Sequence, residues 1–278
     1  MTRVLNGGAA VSQEAMAGNW VRYFRADERP VEAMHAHFTS HVYHRHAHES
    51  YSFGVTESGA QAFSCRNGSH VSSAGLVMAF NPDDPHDGHS GSAGGFTYRM
   101  VHVWPSAFDG PLPLFRAPVL DDPAAAAAVR RLFGAVAGPS SPLERGERLD
   151  RAVRLLWRHA AQVPAAAQPP ARGRAPVAVA TQLRSFLHDH AVIDVTADDL
   201  AAVVGCSRFA AYRAFVSAYG VSPSDYQRQL RIHEARRLLA AGVAPARAAA
   251  EAGFADQPHL TRWFRRYYGI TPAAYQAA

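Results

Sequence analysis

The densest chemistry in this chain is a histidine run. In "HVYHRHAHESY", residues 41–51, His44, His46 and His48 alternate, with His35, His37 and His41 just upstream. A neutral imidazole can donate a nitrogen lone pair to Zn²⁺ and similar ions, or hydrogen-bond a small polar molecule. Alternate side chains on a β-strand share one face, so as a strand this run aims three imidazoles at one point. Only a sheet could hold them there.

Residues 20–104 supply such a sheet. "YSFGVTESG", "AQAFSCRNG", "GLVMAFNPDDPHDG" and "FTYRMVHVW" read as short strands, rich in Val, Phe, Tyr or Thr and mostly punctuated by Gly, Asn or Pro. That spacing predicts a small all-β sandwich or barrel.

Beyond Asp121 the pattern turns helical. "DDPAAAAAVRRLFGAVAG" has an Asp cap followed by Pro123 at the first helical position. "SPLERGERLDRAVRLLWRHAAQ" opens on Ser141 and Glu144, a capping-box arrangement, and carries Leu149, Ala152, Val153, Leu156 and Ala160 at helical spacing. Two helices packed as a hairpin over 121–162 follow. Amphipathic spacing alone leaves open whether the hairpin only covers the barrel or also forms a dimer seam. "VPAAAQPPARGRAPVA" has no apolar period and reads as a linker over 163–176.

The remainder, 177–278, repeats itself. "YGVSPSDYQ" (219–227) is answered by "YGITPAAYQ" (268–276), an offset of 49. Arg213 matches Arg262, Phe215 matches Phe264 and Ser207 matches Asp256 at that offset, while Gly205 matches Gly253 at 48. One supersecondary unit is used twice. In the first copy Thr196 caps "ADDLAAVV", Gly205 ends that helix, and Ser207 caps "RFAAYRAFVSAYG". Two short helices joined by a tight glycine turn form a helix-turn-helix, whose second helix enters the DNA major groove.

Spacing assigns the faces. Ala211, Ala214, Phe215 and Ala218 should pack inward. Ser207, Arg208, Phe209, Tyr212 and Arg213 should face DNA, with Arg213 suited to a bidentate guanine contact. In the second copy Leu260, Phe264 and Tyr267 point inward. Gln257, Pro258, Thr261 and Arg262 face out, and Arg265 and Arg266 suit phosphates. Between the copies, a helix from Pro223 to about Ala240 would span roughly 27 Å. A rigid spacer of that size could set two recognition helices about one duplex turn apart, near 34 Å.

"GFADQPHLTRWFRRYYGITPAAYQ", with the weaker first copy "VVGCSRFAAYRAFVSAYGVSPSDY", resembles the DNA-binding domain of the AraC/XylS family of bacterial transcription regulators. "HRHAHESYSFGVTESG" and "GLVMAFNPDDPHDG" are similar to the two cupin motifs of such regulators' sensor barrel, and the histidine of the second would be His86. The resemblance implies an α+β chain of two domains. The first, 1–162, is a cupin-like barrel with its helical hairpin. The second, 177–278, is an all-α domain of two helix-turn-helix units on a linker helix. It implies a sequence-specific transcription regulator, activator or repressor, with double-stranded DNA, a small-molecule effector and a second copy of the chain as partners. RNA polymerase is a further partner for an activator.

The effector-lining set is then His46, His48, Tyr51 and His86, with His35, His37, His41 and His44 on a rim or surface. Metal-binding cupins place a Glu four or five residues after the H-x-H pair, where this chain has Ser52 and Phe53. Glu49, as His48's neighbour, points to the opposite strand face. No cofactor is required on this reading. A histidine-only set of His46, His48 and His86 still suffices for a divalent metal with an open position. The alternative is a metal-dependent cupin dioxygenase or isomerase with an appended DNA-binding module. It would need a substitute for the missing carboxylate.

Composition agrees with this organisation. All 28 basic residues are Arg. Residues 1–115 carry 7 Arg against 10 acids, 116–176 carry 10 against 5, and 177–278 carry 11 against 8, so an acidic front joins a basic back. The two cysteines, Cys65 and Cys206, are far apart and indicate no disulfide framework, which fits a reducing cytoplasm. No apolar run reaches the length of a signal peptide or a membrane span.

Overall fold

The computed structural model describes residues 18–26, 31–66, 68–108, 112–161 and 174–278. The chain divides into two compact units, one built essentially from residues up to Val163 and the other from Pro164 onward.

The first unit is the β-rich one. Its strands are β1 (Trp20–Arg25), β2 (Val31–Phe38), β3 (Tyr43–His46), β4 (Tyr51–Cys65), β5 (Gly68–Ser73), β6 (Val77–Phe80), β7 (His86–Ser90), β8 (Phe96–Val103), β9 (Leu114–Phe115) and β10 (Val119–Leu120). One antiparallel layer runs β1-β2-β8-β4-β6-β10, and β3, β7 and β5 join through β4. The helices α1 (Pro123–Ala137) and α2 (Pro142–Trp157) follow, and β11 (Ala160–Ala161) closes back on β9.

Strand alternation decides what each face does. Tyr51, Phe53 and Val55 of β4 and Val101 and Val103 of β8 join one buried cluster with Val129, Leu132 and Phe133 of α1 and Leu149, Ala152 and Leu156 of α2. The hairpin therefore packs as its apolar spacing demands. Asp122 caps α1 by accepting from the amides of Ala124 and Ala125, and Ser141 caps α2 by accepting from that of Glu144. The intervening positions of β4 and β8, Ser52, Tyr98, Met100 and His102, face the other way.

One boundary differs from expectation. "YSFGVTESG" and "AQAFSCRNG" are not two strands but one 15-residue strand, β4. Gly59 bends rather than ends it. The register with β8 shifts between Thr56 and Ser58, and beyond it the strand pairs with β5 and β7. Gly59 has φ +69°, and a Cβ there would lie 2.0 Å from the Gly95 carbonyl oxygen. The extra residue of the bulge is Glu57, and Gly59, two residues on, supplies the left-handed backbone and the close approach to Gly95 rather than a turn.

The second unit is helical: α3 (Arg174–Asp189), α4 (Ala197–Val204), α5 (Arg208–Tyr219), α6 (Pro223–Ala240), α7 (Pro245–Glu251), α8 (Gln257–Tyr268) and α9 (Pro272–Ala277). The expected linker lies largely outside the described residues, and its last three positions belong to α3 instead, which starts at Arg174. Leu183 and Leu187 of α3, Leu200 of α4, Ala211 and Phe215 of α5, and Tyr226 and Leu230 of α6 form its core. Thr196 and Asp199 make a reciprocal capping box at α4, and Gly205 ends that helix in the left-handed region at φ +63°. No described helix is long and apolar enough to cross a membrane.

Candidate functional site

In the barrel, three histidines converge. His46 on β3 and His86 on β7 are register partners, with ring centroids 4.6 Å apart. His48, just past the end of β3, lies 4.9 Å from His46 and 5.1 Å from His86, centroid to centroid. One ligand nitrogen from each falls within 4.8 Å of the others, and all three residues are buried. His44 does not join them: the register of β3 is irregular between Tyr43 and His46, alternation breaks, and His44 is exposed. His35, His37 and His41 are half-buried, away from the cluster.

Tautomers follow from the backbone. His46 Nδ1 lies 2.6 Å from the His44 carbonyl oxygen and His86 Nδ1 lies 2.8 Å from that of Asp84. A carbonyl oxygen only accepts, so each Nδ1 carries the proton and each Nε2 presents a lone pair. The His86 ring stacks flat on Phe80 with centroids 4.0 Å apart. Burial holds the His86 pKa down to about 4, against the smaller opposing effect of its bond to Asp84. Burial likewise raises the Tyr43 and Tyr98 phenols, which share a 3.0 Å hydrogen bond in the same cavity.

Tyr51 corrects the expected set. It sits one residue from the inward-facing Ser52, so alternation turns its ring to the opposite sheet face. There it stacks on Phe53, contacts Phe108 and Phe115, and donates to the Pro113 carbonyl oxygen at 2.8 Å. Its hydroxyl is spent on structure. The residue sequence reasoning missed is His102: it lies across from Ser52 in the β4–β8 register, and its ring is 5.0 Å from that of His48. Pairing between strands fifty residues apart leaves no local signal.

A second network braces the loop before His86. The Asp84 carboxylate accepts from Arg66 and from the backbone and side chain of Asn81. Arg66 also donates to the carbonyls of Phe115 and Arg116, and Asn81 exchanges two bonds with the Phe115 backbone. The His86 strand is thus tied to the segment that leads into α1.

In the helical unit both helix-turn-helix motifs have their expected outward residues on the surface. Ser207 caps α5 by accepting from the Ala210 amide. Phe209 and Tyr212 are exposed aromatics, 65% and 49% accessible, on a helix end where burial would be the cheaper choice. The Arg213 guanidinium stacks over Phe209 at 4.3 Å, and Arg208 pairs with Asp198 of α4. Ala211 and Phe215 are buried as expected, but Ala218 is exposed. The inward line steps by four residues to the half-buried Tyr219 instead.

In the second motif Gln257, Pro258, Thr261, Arg262 and Arg265 line one surface concavity, and Arg266 is exposed beside them in sequence. Asp256 accepts from the His259 amide at 2.6 Å, and Leu260, Phe264 and Tyr267 are buried. Arg231 on α6 was not foreseen. It donates to the carbonyls of Ala191 and Ile193 before α4 and of Gly253 in the second turn. One guanidinium therefore ties both motifs to the helix between them.

Known proteins share both halves. Residues 30–153 match the AraC-like ligand binding domain family, and residues 200–278 match a helix-turn-helix domain family. The chain belongs to the AraC family of transcription regulators. It is 28% identical over 224 residues to the uncharacterized HTH-type transcriptional regulator YbfI of Bacillus subtilis, covering 77% of this chain and 80% of that one. It is 37% identical over 76 residues to the HTH-type transcriptional regulator GbdR of Pseudomonas aeruginosa, covering 27% of this chain and 21% of that one. Among solved structures, unsaturated fatty acid-bound ToxT from Vibrio cholerae aligns with TM-score 0.52 at 10% identity, over 95% of this chain and 96% of that one. That likeness is one of fold. The AraC-family chain accordingly pairs a ligand-binding β domain with a helix-turn-helix DNA-binding domain.

Proposed function

We propose that this regulator reads a specific operator through α5 and α8 and is controlled by a small molecule bound beside His46, His48 and His86. The observation that carries this is the pair of capped helices with polar and aromatic side chains turned to solvent. On α5 these are Arg208, Phe209, Tyr212 and Arg213, and on α8 they are Gln257, Pro258, Thr261, Arg262, Arg265 and Arg266. Arg213, Arg262 and Gln257 read bases, Tyr212 and Thr261 reach base or backbone, and Arg265 and Arg266 hold phosphates. The effector carries a polar group, because imidazole, phenol and amide groups, among them Tyr43, Gln61, Tyr98 and His102, share the cavity wall with Met34, Phe80 and Met100. ToxT, a structural neighbour, has been solved with an unsaturated fatty acid.

The protein acts as a homodimer. The exposed Leu143 and Trp157 of α2, 73% and 37% accessible, support the hairpin as its seam. It contacts RNA polymerase where it activates, and it works in the cytoplasm, where its DNA is. It performs no catalysis of its own. Ser52, at the position where cupin enzymes keep a metal-binding carboxylate, supports that reading, as do relatives that are transcriptional regulators by name.

Genome-wide mapping of bound sites, followed by gel-shift titration on the recovered sequence and on scrambled variants, tests the proposal. Selective binding, falling steeply with salt, is expected. Equal affinity for scrambled DNA overturns operator reading.

A further inference from the structure

We propose that His46, His48 and His86 bind a divalent transition-metal ion of the Zn²⁺ class as three neutral nitrogen donors, leaving one coordination position for an anionic oxygen ligand. The geometry of the donors carries this. One ring nitrogen of each lies within 4.8 Å of the others, at the bottom of a buried site. In a tetrahedral site with metal–nitrogen bonds of about 2.0–2.1 Å, ligand nitrogens sit roughly 3.4 Å apart. Side-chain rotations that close the remaining gap, at most roughly 1.4 Å, meet that requirement.

The outer contacts are those a metal-binding histidine needs. His46 and His86 each commit Nδ1–H to a backbone carbonyl, of His44 and Asp84, which turns the lone pair of Nε2 toward the common centre. The ring of His86 is further locked by stacking on Phe80. Asp84 is itself held by Arg66 and Asn81. These contacts set the tautomer and restrict each ring to small rotations before an ion arrives, which a casual grouping of surface histidines would not do.

Charge decides the fourth ligand. Three neutral imidazoles leave the ion's two positive charges uncompensated, and no carboxylate takes the place of Ser52. Of the acids around the site, Asp84 pairs with Arg66 and Asn81, Asp87 accepts from the Ser64 amide at 2.6 Å, and the buried Glu32 lies across from His102 on β2. An ion held by three neutral donors keeps its affinity for an anion, either hydroxide or the carboxylate or phosphate group of a small molecule. His102, hydrogen-bonded to Ser52, has its ring 5.0 Å from that of His48. A regulatory role for the ion rests on the barrel being the sensor. Its binding does not.

The test is a titration of the untagged, full-length, chelator-stripped protein with Co²⁺, read by visible absorption, and with Zn²⁺, read by equilibrium dialysis. One equivalent should bind, with the intense visible bands of a four-coordinate site, and added acetate should shift those bands. His86→Ala and His48→Ala should weaken binding at least about tenfold while circular dichroism shows the fold retained. Because the wild-type titration needs no variant, a variant that fails to fold does not rescue the idea. Absent four-coordinate bands, or equal binding by folded variants, overturn it. If the metal fails to bind while pocket substitutions still alter the response of DNA binding to an effector, the sensor reading stands without the metal.

Discussion

Ser52 Oγ and His102 Nδ1 lie 2.9 Å apart, both buried, on neighbouring strands in register. The serine stands where a metal-binding cupin keeps its carboxylate, and it serves a histidine that no sequence motif announces. Removing the hydroxyl leaves a buried ring nitrogen without this partner. Ser52→Ala should therefore destabilise the first unit by roughly 1–3 kcal/mol. Urea unfolding should show a lower midpoint at unchanged slope. An unshifted midpoint would mean the pair carries no net energy.

Recognition should be separable from folding. Arg213→Ala and Arg262→Ala should each weaken operator binding by roughly 1–3 kcal/mol and relax preference at one base position. Both side chains are exposed, so stability should hardly move. Gel shifts on single-base operator variants check this. If both variants keep wild-type affinity and selectivity, neither arginine reads bases.

Two left-handed glycines should respond very differently to alanine. At Gly205 a Cβ meets nothing within 4 Å, so Gly205→Ala carries only the left-handed backbone strain, about 1 kcal/mol. At Gly59 the same atom would sit 2.0 Å from the Gly95 carbonyl oxygen, a backbone atom that cannot turn aside. Gly59→Ala should cost more than about 3 kcal/mol, or prevent folding. Soluble expression and thermal melting of the two variants make the comparison, and equal losses would refute the close approach of Gly59 to Gly95.

Acid should loosen the metal-free barrel. Burial lowers both His41 and His86 to a pKa of about 4, the charge of His44 adding slightly at His41. Unfolded imidazole titrates near 6.5. Between those values the unfolded chain binds more protons than the folded one, so stability falls as pH drops through 6.5 toward 4. By pH 5.5 each histidine should account for about 1 kcal/mol. Denaturation at pH 7.5 and 5.5, with His41→Gln and His86→Gln as controls, measures it. A loss unchanged by both substitutions would assign it elsewhere.

Much of this molecule was legible in one dimension because its signals are local. Helix caps such as Thr196, Ser207 and Asp256 act within three residues, and a repeat offset is visible without folding anything. The hairpin of α1 and α2 was equally plain, since Pro123 and Pro142 mark starts and apolar spacing marks the buried stripe. Gly59 was misread because a glycine that bends a strand and one that ends it look the same until the partner strand is placed.

The outward faces of α5 and α8, the two-domain order and the nearness of His46 to His48 were thus determined by the sequence itself, through short-range capping, periodicity and repetition. The tertiary structure decided which groups share the barrel cavity. Whether Tyr51 or Ser52 faces inward depends on one step of strand alternation against β8. His102 arrives from a strand fifty residues beyond Ser52, and Arg231 joins both helix-turn-helix motifs across three separate segments. Those relationships are set by strand register and long-range packing, which no stretch of residues records by itself.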